Sequence, residues 1–346
     1  MDRVSVVIPT RNRRDLVQAL LLNLRAQTVT PAEIIVVDDG SEDGTAEAAV
    51  ELGARVIEGR TLGFARAVNL GVQASRHQWV AVLNNDLELE SEWLARLLEA
   101  AEAARAWFAC GKLLDLRRAG RIDGTFDLLS RGACAWRAGH GRPDGPLWNC
   151  PRTVQFAGFT AVLLRRELFE RVGWLDERFH SYLEDVEFCL RCALAELHGV
   201  YVPAARGRHA GSATLGRWSR ESVRLIARNQ LWLIAKHYPD GWFKLYGRAV
   251  VAAQWLWGLT AARHGAFGAY LRGKQQGWQG FRDIRESSPR PKAPERLQAV
   301  LRDSERQIRS LQEQGGWDWY WRAYFLAVGS GGADSGAAPG PAGAVA

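Results

Sequence analysis

Three apolar runs near the N-terminus end in the same way, in a cluster of polar side chains, and no other feature so narrows what this chain can fold into. Residues 4–8 run into Pro9-Thr10-Arg11-Asn12, residues 34–37 into Asp38-Asp39-Gly40-Ser41, and residues 79–83 into Asn84-Asn85-Asp86. Between them, Leu16, Leu20 and Leu24 recur at helical spacing. Residues 46–52 and 64–74 read as two more helices, with a short strand at Val56-Ile57. A helix over 92–106 follows, with Ser91 placed to cap it. Strands alternating with helices predict a parallel sheet covered on both faces. In such sheets ligands bind beyond the carboxyl ends of the strands. One polar cluster there is ordinary turn chemistry; three at successive strand ends point to a ligand.

The later chain is less regular. Over 110–153 the pattern loosens into Gly- and Arg-rich sequence. A strand near Phe159, helices over 166–172 and 183–195, and a strand at 200–202 then restore the alternation. Past about Thr214 only helical patterns with many Trp remain, so a boundary is expected near residue 215. This divides the chain into an α/β domain over 1–215, with a donor half 1–108 and an acceptor half 109–215. A helical extension over 216–328 and a disordered, Gly- and Ala-rich tail over 329–346 complete it.

Composition excludes several classes. With 346 residues and 47% hydrophobic content, the chain can bury a sizeable core. Cys189 and Cys192 form a CxxC without a second pair or a flanking histidine, and read as core residues. The N-terminal apolar run is too short for a signal peptide. The longest uncharged C-terminal stretch, 249–262, falls short of the roughly 20 residues of a membrane span. A cytoplasmic protein is therefore expected. The net charge of +7 suits phosphorylated ligands or an anionic membrane surface. No basic strip with interleaved aromatics is present, so nucleic acid is not an expected partner.

The strand ends also constrain the ligand. No GxGxxG follows the first strand, which removes the usual dinucleotide fingerprint. The near match to a phosphate loop at Gly268, Gly273 and Lys274 ends in Gln275 and has no preceding strand. Asp38-Asp39 suits the N–H edge of a base or ribose hydroxyls, and Asp86 suits a hard divalent cation that would hold phosphates. Together these make a nucleotide-sugar layout.

SVVIPTRNR, VVDDGSEDGT, GFARAVNLGV, LNNDLEL and FHSYLEDVEF, in this order over about residues 3–215, resemble glycosyltransferase family 2. IDGTFDLLSRG with HGRPDG is similar to its rhamnosyltransferase-like members, although Phe126 stands where a glycine is expected. The resemblance implies a GT-A nucleotide-diphosphate-sugar-binding fold with a mainly parallel central sheet and a C-terminal helical extension. It implies an inverting transfer in which Asp39 bonds the base, with Asp38, Pro9 and Thr10 shaping the same pocket. Asn84 and Asn85 lie beside the nucleotide, and Asp86 replaces the family's Asp-x-Asp as ligand to Mn²⁺ or Mg²⁺. His209 is the candidate second metal ligand, Asp185 the general base, and Glu184 its neighbour. Arg66 is only weakly tied to the nucleotide. The implied donor is a dTDP-, UDP- or GDP-linked sugar, with rhamnose as the first candidate, and the acceptor a cell-envelope saccharide or lipid-linked saccharide. Trp242, Phe243, Trp255, Trp257 and Trp278, among Lys244, Arg248, Arg263 and Arg272, suit peripheral contact with the inner face of an anionic cytoplasmic membrane. Two other readings stay open: a sugar-phosphate nucleotidyltransferase, disfavoured because PTRNRRD lacks glycine, and a non-catalytic saccharide-binding relative.

Overall fold

The computed structural model describes residues 4–211, 218–289 and 293–329. The expected boundary at residue 215 and, apart from Gly329, the expected disordered tail lie outside the described residues. The strands are β1 Val4–Thr10, β2 Glu33–Asp38, β3 Arg55–Glu58, β4 Trp79–Leu83, β5 Leu87–Leu89 and β6 Phe108–Asp115. They continue with β7 Ile122–Gly124, β8 Asp127–Leu129, β9 Ala135–Arg137, β10 Arg152–Val154, β11 Ala161–Arg165 and β12 Gly199–His209. The helices are α1 Arg14–Arg25, α2 Thr45–Glu51, α3 Gly63–Ala74, α4 Trp93–Ala103, α5 Glu167–Val172 and α6 Glu184–Leu194. The extension holds α7 Arg220–His237, α8 Trp242–Arg263, α9 Phe267–Gln279, α10 Phe281–Glu286, α11 Pro294–Gly315 and α12 Trp319–Val328.

The central sheet runs β10-β12-β6-β11-β4-β1-β2-β3, with β5 on β12 and β7 on β6. Its donor half, β4-β1-β2-β3, is parallel. The acceptor half is mixed: β11 enters antiparallel to both β4 and β6, while β6 and β12 run parallel. Alternation along the strands sends Val6, Ile8 and Val36 toward α1 and α4, and Val7, Ile35 and Val37 toward α3 and α6. Both faces are therefore covered, as continuous apolar strands require. Ser91 does not cap α4. The cap position is Glu92, without a side-chain bond, and the Ser91 carbonyl instead accepts the Thr28 amide at 2.9 Å. Cys189 and Cys192 are buried on α6 as free thiols. The loose stretch over 110–153 folds into β6 to β9 and a short 3₁₀ turn, Pro146–Trp148.

Glu187 joins the α/β domain to the extension. This side chain of α6 is fully buried, 2.9 Å from Arg191 on its own helix, and 3.0 and 2.8 Å from Lys236 and His237 of α7. Burial raises its pKa, but Arg191, His237 and Lys236 outweigh that and hold it well below the usual carboxylate value. A folded-state pKa below the unfolded one contributes stability above the unfolded value of 4.5, which is lost as pH falls through the folded value. Glu187→Gln, which strands the cations in a buried site, should cost about 3–5 kcal/mol near neutral pH. Denaturant unfolding should also show a shallower loss of stability below pH 4.5 in the variant than in the parent.

Candidate active site

The carboxyl ends of β1, β2 and β4 open on a cleft of about 530 Å³. Pro9, Thr10, Asp39, Asn84, Asn85, Asp86, Glu184, Asp185 and His209 all line it. Thr10 Oγ1 accepts the Asn85 side-chain amide at 2.8 Å and so ties two strand ends together. Asp38 is the exception. Its buried carboxylate folds back to accept the Ser41 amide at 3.1 Å and the Ser41 hydroxyl, so it shapes the turn behind the cleft. Asp39 accepts the backbone amides of Leu62 at 2.6 Å and Gly63 at 3.2 Å, at the start of α3. Gly63 has φ +72°, and a Cβ there would sit 2.2 Å from His180 Nδ1. Arg66 lies outside the wall, exposed and 3.8 Å from Glu177.

The register of β12 brings His209 to Asp86. His209 pairs with Leu87 of β5, and the Ala210 amide donates to the Asp86 carbonyl at 3.1 Å. His209 Nδ1 lies 2.8 Å from Asp123 Oδ2, and its buried Nε2 lies 3.0 Å from Asp86 Oδ1. Burial alone would lower the imidazole pKa, but the flanking Asp123 and Asp86 raise it to about 9. Asp123 is desolvated too, yet His209 and Arg137 bring it down to about 2. Asp86 and His209 are the groups that would hold a divalent ion here, offering an anionic oxygen and an imidazole nitrogen 3.0 Å apart. Asp123 is then the carboxylate that orients the liganding imidazole from behind. Among the described residues no group of three or more His, Cys, Asp or Glu is arranged to hold a metal.

At the other end of the cleft α6 begins with Glu184 and Asp185. Asp185 is partly exposed, and its Oδ2 accepts the Phe159 amide at 3.1 Å. Burial raises its pKa against the opposing pull of that amide and of Arg137. Glu184 is buried, with one oxygen lacking any hydrogen bond, and desolvation with the neighbouring Asp185 charge holds its pKa well above the usual range. Asp127 is buried in the cleft as well. Desolvation, opposed by Arg137 and helped by Asp185 and Asp123, pushes it up to about 7. Arg137 bridges the floor, 3.5 Å from Asp123, 3.7 Å from Asp127 and 3.2 Å from the Thr160 hydroxyl.

Asp123, Asp127 and Arg137 were not among the sequence candidates. They sit on three-residue strands too short for a readable period, and the only signal was two acids in IDGTFDLL. Phe126 between them is buried, its ring 5.3 Å from Tyr201.

The family profile of Glycosyl transferase family 2 matches residues 5–173. The chain is 30% identical over 271 residues to the N-acetylglucosaminyl-diphospho-decaprenol L-rhamnosyltransferase of Mycobacterium tuberculosis, covering 70% of this chain and 87% of that relative. It is 28% identical over 225 residues to the O-antigen biosynthesis protein RfbC of Myxococcus xanthus, covering 61% of this chain but 18% of that protein. Among solved structures, GalNAc-T7 with UDP, GalNAc and Mn²⁺ superposes with a TM-score of 0.59 at 15% identity, over 91% of this chain and 58% of that one. The mannosyltransferase PcManGT of Pyrobaculum calidifontis with GDP-Man and Mn²⁺ superposes at 0.50 and 15%, over 94% and 86%. At these identities the structural likenesses speak for the fold alone.

Asp123→Asn should weaken divalent-ion binding about 10–100-fold, because the imidazole loses its orienting carboxylate. Mn²⁺ titration of the thermal unfolding temperature, with a saturating nucleoside diphosphate, would read this as a shift of the midpoint to higher Mn²⁺.

Proposed function

This chain belongs to glycosyltransferase family 2 and has the GT-A fold, and from that premise we propose an inverting, metal-assisted sugar transfer with Asp185 as general base. The observation that carries the reading is the meeting of Asp39, Asp86, His209 and Asp185 on one cleft from four separate stretches of chain. The donor is a dTDP-, UDP- or GDP-linked sugar. Rhamnose is the first candidate, supported by the likeness to the L-rhamnosyltransferase of Mycobacterium tuberculosis. That relative's name gives it a decaprenol-linked acceptor, and here Leu225, Ile226 and Trp257 of the extension make one cleft wall apolar. A saccharide or lipid-linked acceptor of the cell envelope is the corresponding proposal.

The residues divide the work by charge. Asp39, anchored by two α3 amides, offers its remaining acceptor capacity to a base N–H or a ribose hydroxyl. Asn84 and Asn85 flank the diphosphate position as neutral donors. Asp86 and His209 would hold Mn²⁺ or Mg²⁺, which when bound offsets the charge of the departing diphosphate. Because Asp123 and Asp86 favour the charged imidazole, holding a metal at Nε2 would be coupled to loss of a proton there. Asp185 takes the proton of the acceptor hydroxyl as that oxygen bonds to the anomeric carbon and the carbon–oxygen bond to the diphosphate breaks. Attack opposite the leaving group inverts the anomeric centre. A raised pKa makes Asp185 a stronger base than a surface aspartate.

The extension also supports peripheral membrane contact. No helix among the described residues is long and apolar enough to cross a membrane. Of the five aromatics singled out, Phe243, Trp255 and Trp278 are exposed, whereas Trp242 packs on Tyr238 and Trp257 on Tyr270. Val251 and Leu259 extend the exposed row through Trp255 on α8. Residues 241–282 contain Lys244, Arg248, Arg263, Arg272 and Arg282, together with the half-buried Lys274, but no Asp or Glu, a charge pattern that complements an anionic surface.

Two outcomes follow from this reading. Asp185→Asn should lower transfer by about a hundredfold or more while nucleoside-diphosphate affinity stays within a few-fold; near-normal transfer by that variant would sink the mechanism. The protein should sediment with phosphatidylglycerol liposomes at low salt and not with phosphatidylcholine liposomes. Trp255→Ala combined with Trp278→Ala should abolish that sedimentation, and no binding by the parent would remove the membrane contact.

A further inference from the structure

The segment that delivers Asp185 is held in an unusual backbone. His180, Tyr182 and Leu183 have φ of +65°, +69° and +66°, values that side-chain-bearing residues rarely adopt. Such conformations persist only where the surroundings over-determine them. Here the surroundings come from two directions. The Ala65 amide of α3 donates to the His180 carbonyl at 3.0 Å, and the Phe64 amide to Ser181 Oγ at 3.3 Å. From the other side, the fully buried Asn229 of α7 aims one amide nitrogen at three carbonyls: Phe179 at 3.0 Å, Ser181 at 3.0 Å and Tyr182 at 2.6 Å. Its oxygen accepts Arg228 Nε at 2.9 Å, which fixes the orientation of the amide, and Arg228 Nη2 donates to the Phe179 carbonyl at 2.7 Å. Asn229 is not among the residues lining the cleft, whereas its neighbour Gln230 is.

We infer that Asn229 is a positioning residue for Asp185, so that the helical extension completes the catalytic site of the α/β domain. The inference rests on Asp185 as the base. One side-chain NH₂ is the compact group that can serve converging carbonyls, because it presents two hydrogens at one atom. Without it the Ser181 and Tyr182 carbonyls lose the Asn229 donor, while that of Phe179 keeps Arg228 and the Ser181 amide, and the loop is free to relax toward ordinary φ values. Leu183 and Asp185 are two residues apart, so such relaxation moves the carboxylate directly. A displacement on the order of 1 Å is enough to cost about a hundredfold in rate. The α3 contacts remain, and with them the amides that hold Asp39, so donor binding should not share the loss.

The test uses the full chain, with dTDP-rhamnose as donor and an N-acetylglucosaminyl-diphospho-lipid as acceptor. Asn229→Ala should lower kcat about a hundredfold with donor KM and dTDP affinity unchanged. In the Asp185→Asn background it should add nothing, because a residue acting through the base has no base left to position. Asn229→Ser, which keeps a single donor, should fall between parent and alanine variant and carries the same measurement where Asn229→Ala does not fold. Normal kcat in a folded Asn229 variant, beside an inactive Asp185→Asn, overturns this inference alone. Multiplicative losses in the double variant do the same, and an active Asp185→Asn overturns the base assignment and this inference together. Hydrogen exchange over residues 179–186 reads the positioning without turnover: faster exchange in Asn229→Ala supports it, and unchanged protection overturns it.

Discussion

Glu187 is the constraint on which the site depends. A carboxylate with no exposed surface must be surrounded by cations and donors, and its partners come from both parts of the chain: Arg191 from α6, Lys236 and His237 from α7. Arg191 also donates to the carbonyls of Val172, Gly173 and Trp174, and Lys236 to Asp176 at 2.7 Å. One buried network therefore fixes the start of α6, the turn before it and the face of α7 against each other. A hydrophobic core of the same volume could match its net stability. What the network adds is direction, because charges and hydrogen bonds allow far fewer relative placements than apolar contacts do. The first turn of that same helix carries Glu184 and Asp185.

Along the cleft floor, charge alternates. Asp86, His209, Asp123, Arg137 and Asp127 follow one another, and Asp185 lies within electrostatic reach of Arg137 and Asp127. Desolvation acts on Asp123, Asp127 and Asp185 alike, so their separation comes from access to a cation. Asp123 touches both His209 and Arg137 and falls to about 2, whereas Asp127 has the more distant side of Arg137 and the repulsion of two acids, and rises to about 7. Environments that push neighbouring titratable groups apart are how one site holds an anionic ligand set at one end and a proton acceptor at the other.

The α/β domain and the helical extension thus differ in what they contribute. The parallel strand ends carry Asp39, Asn85 and Asp86, with the start of α3 on Asp39, Thr10 on Asn85 and His209 of β12 beside Asp86. The acceptor end needs α7 and α8, which provide the apolar wall and the donors that hold the loop over 179–183.

Much of this was legible in the residues themselves. The three polar strand ends, the helical spacing between them and the all-helical character past residue 218 were each visible, because period and composition are local properties. The strand over 79–83 matched its reading at both ends. What was not legible depended on partners far away in sequence. Asp38 and Asp39 look alike as neighbours, and only the turn decides that one bonds Ser41 and the other faces the cleft. Ser91 looked like a cap, but its carbonyl was claimed by Thr28. Asp123, Asp127 and Arg137 lie on strands of three residues, which gain their direction from β6 and from each other rather than from any pattern of their own. Asn229 reads as one polar residue on an amphipathic helix until the loop over 179–183 folds onto it. The sequence by itself determined the longer strands and helices and which strand ends carry polar groups, but not the three-residue strands β7 to β9. The tertiary structure decided which of those groups face each other, because a buried polar atom must find a partner and that partner can come from anywhere in the chain.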